Sequence, residues 1–412
     1  MAKKSALLPI FLIVLVDVLG FTIVIPLLAF YAEEFGATPL VATTLVSVYA
    51  VCSLISTPII GRLSDQYGRK PLLMISQFGT CAGFVMLALS SSLWMVFVGR
   101  ILDGFTAGNL SIAQAYISDH TAPENRAKAF GVIGIAFGIG FMFGPGIGGW
   151  VGNAYGHNMP FAIAACLSAI SIICTATLLS SEKPPQAEAQ DQGPRGRRPN
   201  AFDFRIYAEF FGRPALRALY FQFFLFSFAF SLFFSGFALF AKHNPLFHWG
   251  SDEVGYLFTY SGMLGIIMQG GLLGRMVRKF GEFKMTLFGF VAATISYSLV
   301  GFAETVAMLI ISSTVSAFGH GVLRPVLTAR LTQAVGRHEQ GVVLGISGSL
   351  GSVAMAMAPP TGGAMLDNNH LLAWAMIPAG VSLLGLVVTS LWSGVPARPA
   401  NTLPEARLQS DA

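Results

Sequence analysis

Apolar stretches long enough to cross a bilayer recur along almost the whole chain, separated by short polar breaks. A run of about 20 apolar residues crosses the hydrocarbon core as a helix, because only internal hydrogen bonding satisfies the backbone there. Such runs place helices near residues 7–31, 40–61, 72–91, 94–117, 126–152 and 160–181, and again near 214–241, 253–274, 283–302, 305–330, 339–364 and 371–394. Between the two sets lies a polar stretch with Pro184-Pro185 and Gly193-Pro194, which cannot build a core. The expected fold is an all-α membrane protein of 12 transmembrane helices in two pseudo-symmetric six-helix bundles. Its divisions are a first bundle over 1–181, a cytoplasmic linker over 182–213, a second bundle over 214–394 and a cytoplasmic tail over 395–412. The first apolar segment, Leu7 to Tyr31, is too long for a signal-peptide core and lacks a small-residue cleavage site, so it is expected to stay in the mature protein.

The halves resemble each other at a fixed offset. Gly61-Arg62 through Gly68 is echoed by Gly274-Arg275 through Gly281, and Gly144-Pro145 with Gly148-Gly149 by Ala358-Pro359 with Gly362-Gly363. Repeats of this kind put a substrate cavity near the bilayer midplane, between the halves.

Composition removes other classes. Charged residues make up 11% of the chain and hydrophobic ones 54%, whereas a soluble domain carries roughly 25% charged residues. The net charge of +5 does not point to nucleic acid, because the basic residues sit between apolar spans rather than in a stripe with aromatics. All but three of the 25 Lys and Arg fall on one side if both termini are cytoplasmic; Lys242 lies outside, and Arg100 and Arg324 lie within helices. That imbalance predicts a multi-pass inner-membrane protein with N- and C-termini in the cytoplasm. Cys52, Cys81, Cys166 and Cys174 lack paired spacing and read as small buried hydrophobes. No zinc His-Glu-x-x-His or phosphate-binding Gly-x-x-x-x-Gly-Lys pattern occurs, so neither an enzyme, an ATP-driven pump nor a cofactor is implied.

The motifs narrow the class. After the second span the sequence reads Gly61-Arg62-Leu63-Ser64-Asp65-Gln66-Tyr67-Gly68-Arg69-Lys70-Pro71. Gly61 and Gly68 permit a tight inter-helix turn, Asp65 offers a carboxylate to a helix N-terminus or an Arg, and Arg69 and Lys70 pin the loop inside. The fifth span carries Gly131, Gly140, Gly144, Pro145, Gly148 and Gly149, a spacing that lets a neighbouring helix approach closely, with a bend at the proline. The fourth carries Arg100, Asp103, Gly104 and Gly108, followed by Asp119 and Arg126.

In order and spacing these motifs resemble the major facilitator superfamily, and the glycine pattern of the fifth span resembles its antiporter branch. Asp17-Val18-Leu19-Gly20 and the fourth-to-fifth-span region are most similar to the twelve-span drug–proton antiporters, including tetracycline exporters. The resemblance covers essentially the whole chain and implies a major-facilitator-type fold and proton-coupled efflux of small amphipathic molecules by alternating access. It also implies a monomer whose partners are a small-molecule substrate, protons and the lipid bilayer. This sequence departs from the tetracycline exporters in lacking membrane carboxylates in the third and ninth spans and a histidine in the eighth. The other reading is a superfamily member that moves one metabolite, sugar or lipid, as a symporter.

Coupling needs an ionisable group inside the membrane. Asp17 lies ten residues beyond Leu7, about 15 Å along a helix. A charge at that depth costs roughly 3 kcal/mol, so such acids face cavities and serve function. Arg100 and Asp103, three apart, share a helix face and can pair, and the resemblance assigns Arg100 to a motif that influences proton transfer. Asp17, Arg100 and Asp103 are the proton-coupling candidates. Gln77, Asn109, Gln114, Gln222 and Gln269 serve either as cavity hydrogen-bonding groups or as interhelix glue. His320 and Arg324 complete the cavity candidates, Arg324 being the deep cation of the second half. The seventh span holds eight phenylalanines between Phe221 and Phe234, of which two or three are expected to reach a ligand. A cytoplasmic latch is expected from Asp65, Arg69 and Arg126.

Overall fold

A computed structural model of the chain describes residues 7–120, 126–179, 204–336 and 339–392. They form helices α1 (Leu7–Glu34), α2 (Pro39–Tyr67), α3 (Arg69–Ala88), α4 (Leu93–Phe105), α5 (Asn109–His120), α6 (Arg126–Tyr155) and α7 (Met159–Leu178). Then follow α8 (Phe204–Gly212), α9 (Pro214–His243), α10 (Ser251–Ile267), α11 (Leu273–Gly301), α12 (Val306–Gln333), α13 (Gln340–Asp367) and α14 (Leu371–Leu391).

Among the described residues, ten helical stretches are long and apolar enough to cross a membrane. One of them, Ser251–Gly301, has 51 residues. As a straight helix it would be about 77 Å long, more than twice the roughly 30 Å hydrocarbon core. It turns back at Gly281, where φ is 79°, and so supplies two crossings. The remaining crossing is α4 with α5, interrupted at Thr106–Gly108, so that neither piece is long enough alone. Twelve crossings result, six in each half.

The repeat is visible in the backbone. Gly68 joins α2 to α3 with φ 100° and ψ 153°; Gly281, 213 positions later, has φ 79° and ψ 159°. Both conformations strain any residue with a Cβ. The expected loop over 61–68 is therefore a single-residue turn, with Gly61 to Tyr67 still helical.

Within this frame α6 packs against both α1 and α10, and α13 against both α2 and α9, so two helix pairs join the bundles. The end of the bundle carrying Gly68 and Gly281 is called the Gly68 face, and the opposite end the Glu33 face. Helix α8 falls inside the stretch expected to be an unstructured linker. Phe210 anchors it by burial, and Arg213 bonds Glu339 at 2.9 and 3.0 Å and Glu209 at 3.2 Å. The Glu339 hydrogen bond is the main cause raising the Arg213 pKa, so the clasp to the start of α13 stays charged. The rest of the expected linker, residues 182–203, and the expected tail, 395–412, lie outside the described residues, as do 180–181 and 393–394. Cys166 departs from expectation in being exposed, while Cys52 is buried.

Candidate functional site

The polar interior of the first bundle centres on Asp17. Its α1 face turns away from lipid, and Ser171 of α7, Gln77 of α3 and Asn109 of α5 are its nearest neutral polar side chains, with Asp103 close by. Asp17 Oδ1 is buried and accepts no hydrogen bond. Gln77 instead donates to Ser171 Oγ at 2.7 Å. On α4, Asp103 accepts from Arg100 Nη1 at 2.9 Å, and the guanidinium lies 4.4 Å from the Tyr49 ring centroid. Arg100 is 1% and Asp103 3% exposed, so the pair is dry and each charge depends on the other. The structure thus gathers all three proton-coupling candidates, together with Gln77 and Asn109, in one bundle.

The break at Thr106–Gly108 adjoins this cluster. A helix broken inside a membrane must have its freed backbone groups satisfied by neighbours. Ser56 and Thr57 of α2 donate to the Gly104 and Ala107 carbonyls at 2.9 and 3.0 Å. Ser76 of α3 donates to the Thr106 carbonyl and accepts from the Gly108 amide. Discontinuous helices of this kind mark binding and coupling sites in transporters. Sequence reasoning missed Ser56, Thr57 and Ser76; Thr106 and Gly108, both weak helix formers, hint at the break but not at the hydroxyls that satisfy it.

The other face of α1 meets the glycine series of α6. Thr22 donates to the Gly140 carbonyl at 2.9 Å, and a Cβ at Gly148 would lie 2.7 Å from the Ile23 carbonyl. Gly149, one residue on, sits instead against the Ser251 carbonyl of α10, across the seam. The second half repeats this division: Gly362 faces Leu232 of its own bundle and Gly363 faces Thr43 and Leu40 of the other. Gly131 lies on the α6 backbone beyond these contacts.

The seam is shut at the Glu33 face and parted at the other. Lys242 Nζ reaches Glu33 at 2.5 Å and His243 Nε2 reaches it at 3.2 Å, both across the bundles. His157 pairs with Glu34 at 2.5 Å. Toward the Gly68 face, Gly134, Gly265, Gly345 and Gly348 have nothing within 4 Å of a built Cβ, so the space between the bundles opens that way. Glu33→Gln is expected to weaken the closed face. Because Lys242 is 40% exposed, the loss is at most about 1 kcal/mol, a roughly fivefold population shift. A reporter cysteine at the buried Ser251, in a protein without other cysteines, should then react correspondingly faster with a thiol reagent from the Glu33 side.

Gln77 of the first bundle and Gln222 of the second are both buried and bonded between helices. Gln222 is 1% exposed and accepts from Arg330, which also donates to Thr286 at 3.1 Å. Gln114 and Gln269 are exposed, Gln269 on a π-helical turn at Met268–Leu272. His320 bonds Tyr297 at 2.6 Å and Ser316 at 3.1 Å and lies edge-on to Phe230 at 5.0 Å. Arg324 is exposed on α12, one turn nearer the Gly68 face.

At the Gly68 face Arg69, 5% exposed, binds Asp65 at 2.5 Å and Asp119 at 2.8 Å, tying α2, α3 and α5 together. Lys70 donates to the Ala176 and Leu179 carbonyls. The Arg126 side chain, expected in a latch here, lies outside the described residues, although α6 begins at that position.

Residues 10–303 and 244–410 match the Major Facilitator Superfamily. The tetracycline resistance protein, class B, of Escherichia coli is 29% identical over 365 residues, 88% of each chain. Multidrug resistance protein 1 of Bacillus subtilis (strain 168) is 28% identical over 407 residues, 98% of this chain and 100% of that one. Among solved structures, the human organic anion transporter MFSD10 (TETRAN) superposes with a TM-score of 0.71 at 22% identity, covering 94% of this chain and 100% of that one. The repeated bundles, the Gly68 turn and the seam glycines thus belong to a multi-pass membrane protein that is a secondary transporter rather than an enzyme, and the chain is a member of the Major Facilitator Superfamily.

Proposed function

We propose that this chain exports small amphipathic molecules across the plasma membrane in exchange for protons, with the Gly68 face and both termini cytoplasmic. The structure then represents the inward-open state. The carrying observation is Asp17: a carboxyl group inside the bundle with one buried oxygen that no hydrogen bond satisfies. A proton there gives the site a donor among Ser171, Gln77 and Asn109. Helix α1 links that event to the seam, because Asp17 lies on one face and Val18 and Thr22, on another, hold Gly140 of α6. Gain or loss of the proton therefore biases which end of the seam is closed, and substrate biases it oppositely through its own differential affinity. The tetracycline and multidrug resistance relatives support the export reading.

The test is transport by purified protein in liposomes under an imposed pH gradient, with a chemically mixed compound panel. Substrate movement against the proton gradient, abolished by an uncoupler, is the expected result. Movement in the same direction as protons would mark a symporter of a single metabolite instead, and gradient-independent movement would remove proton coupling.

A further inference from the structure

Among the described residues, nothing pairs with the Arg324 guanidinium. Arg100, the other arginine deep within a helix, is engaged by Asp103, and Arg330 in the last turn of α12 by Thr286 and Gln222. Arg324 makes no ion pair or hydrogen bond through its side chain, yet it stands nine residues before the end of α12 at Gln333, about 14 Å inside the helix. An unpaired cation at that depth is tolerated where it meets water in a cavity rather than acyl chains.

Its helix face shows where it looks. His320, four residues earlier and hence on the same face, packs against Phe226 and Phe230 of α9. From there an aromatic row runs across the seam: Phe230 stacks on Phe234 at 5.4 Å, and Phe234 meets Phe141 of the first bundle at 5.9 Å. Phe230 and Phe234 are half-buried, leaving ring surface unoccupied. The unpaired guanidinium therefore lies one turn from His320 toward the Gly68 face, and the aromatic row begins at His320 and runs from there to the seam.

We propose that the transported molecule is an organic anion, its carboxylate or sulfonate held by Arg324 and its planar body laid along Phe230 and Phe234. Guanidinium binds such planar oxyanions through two parallel hydrogen bonds, which a lysine ammonium cannot reproduce. This inference rests on the reading that the space between the bundles carries the substrate, but not on proton coupling.

The experiment is equilibrium binding to the purified full chain, without a pH gradient, of matched aromatic pairs such as 2-naphthoate with 2-naphthamide and salicylate with salicylamide. Each acid should bind wild type about tenfold more tightly than its amide. Arg324→Gln should abolish that preference and Arg324→Lys keep part of it, both variants eluting as the wild-type monodisperse species. Equal binding of acid and amide to wild type, a preference surviving in Arg324→Gln, or no binding of any acid at about 1 mM would each overturn the proposal. Acids that bind through Arg324 but are not driven by a proton gradient would leave this inference standing and remove the coupling. Gradient-driven movement of neutral or cationic compounds alone, unchanged in Arg324→Gln, would do the reverse.

Discussion

Replacing Asp17 with Asn is expected to reduce gradient-driven transport about 100-fold, because the roughly 3 kcal/mol that separates charged from neutral carboxyl at this depth is the energy that biases the seam. Asn keeps the size and hydrogen-bonding capacity of the protonated acid but cannot release a proton. Substrate binding by Asp17→Asn should remain measurable and no longer vary with pH, whereas Asp17→Glu should restore part of the driven transport. A purely structural role predicts otherwise. An acid that only satisfied Ser171, Gln77 and Asn109 would be replaced well by Asn, and driven transport would persist. The position of Asp17 makes the distinction sharp, since its orphaned oxygen lies inside the bundle while the same helix carries Thr22 to the seam.

The second large effect is expected from Gly149→Leu. Its Cβ direction points at the Ser251 carbonyl, which is backbone and cannot rotate aside. Overpacking of this kind costs roughly 1–3 kcal/mol, a shift of about 5- to 150-fold in the balance between the two open states. Closure at the Glu33 face should be lost and transport should fall accordingly, with a cysteine at Thr43 becoming reactive from that side. Gly363→Leu, which meets Thr43 and Leu40 across the other seam, should act in the same sense. Gly134→Leu is the contrast. Nothing stands within 4 Å of that position here, so the present state should accept it, and only closure of the Gly68 face should be opposed. Gly149→Leu and Gly134→Leu are thus predicted to bias the protein in opposite directions, which a general folding defect would not do.

Much of this architecture was legible before any coordinates. Uninterrupted apolar length gave the crossings, because a backbone in lipid has no alternative to the helix. The offset of 213 to 214 residues returned as matched turns at Gly68 and Gly281 and as matched seam contacts at Gly149 and Gly363. Asp17, Arg100 and Asp103 stood out because acids and a buried arginine are rare at such depth. The rest depended on partners far apart in the chain. The break in the fourth crossing exists because hydroxyls from α2 and α3 satisfy its freed carbonyls, and no local pattern announces them. Gln77 and Gln222 read alike in the sequence as cavity groups or glue, and nothing near them in the chain announces Ser171 and Arg330 as their partners. Glu33 at the end of α1 gives no sign that Lys242 and His243, more than 200 residues later, will close on it. Helix α8 was hidden by the polar sequence before it, although its own Phe210 is buried.

Central to the account is that a proton on Asp17 favours separation of the bundles at the Gly68 face. Gln66 and Lys279 are exposed equivalents there, one on each side of the opening and 213 positions apart. Spin labels at Gln66→Cys and Lys279→Cys, in a protein freed of its four native cysteines, report that separation as a distance distribution. Lowering the pH should lengthen the distance in the wild-type background, while Asp17→Asn should hold the long distance at every pH. A distance that still shifts with pH in Asp17→Asn as it does in wild type would contradict the account.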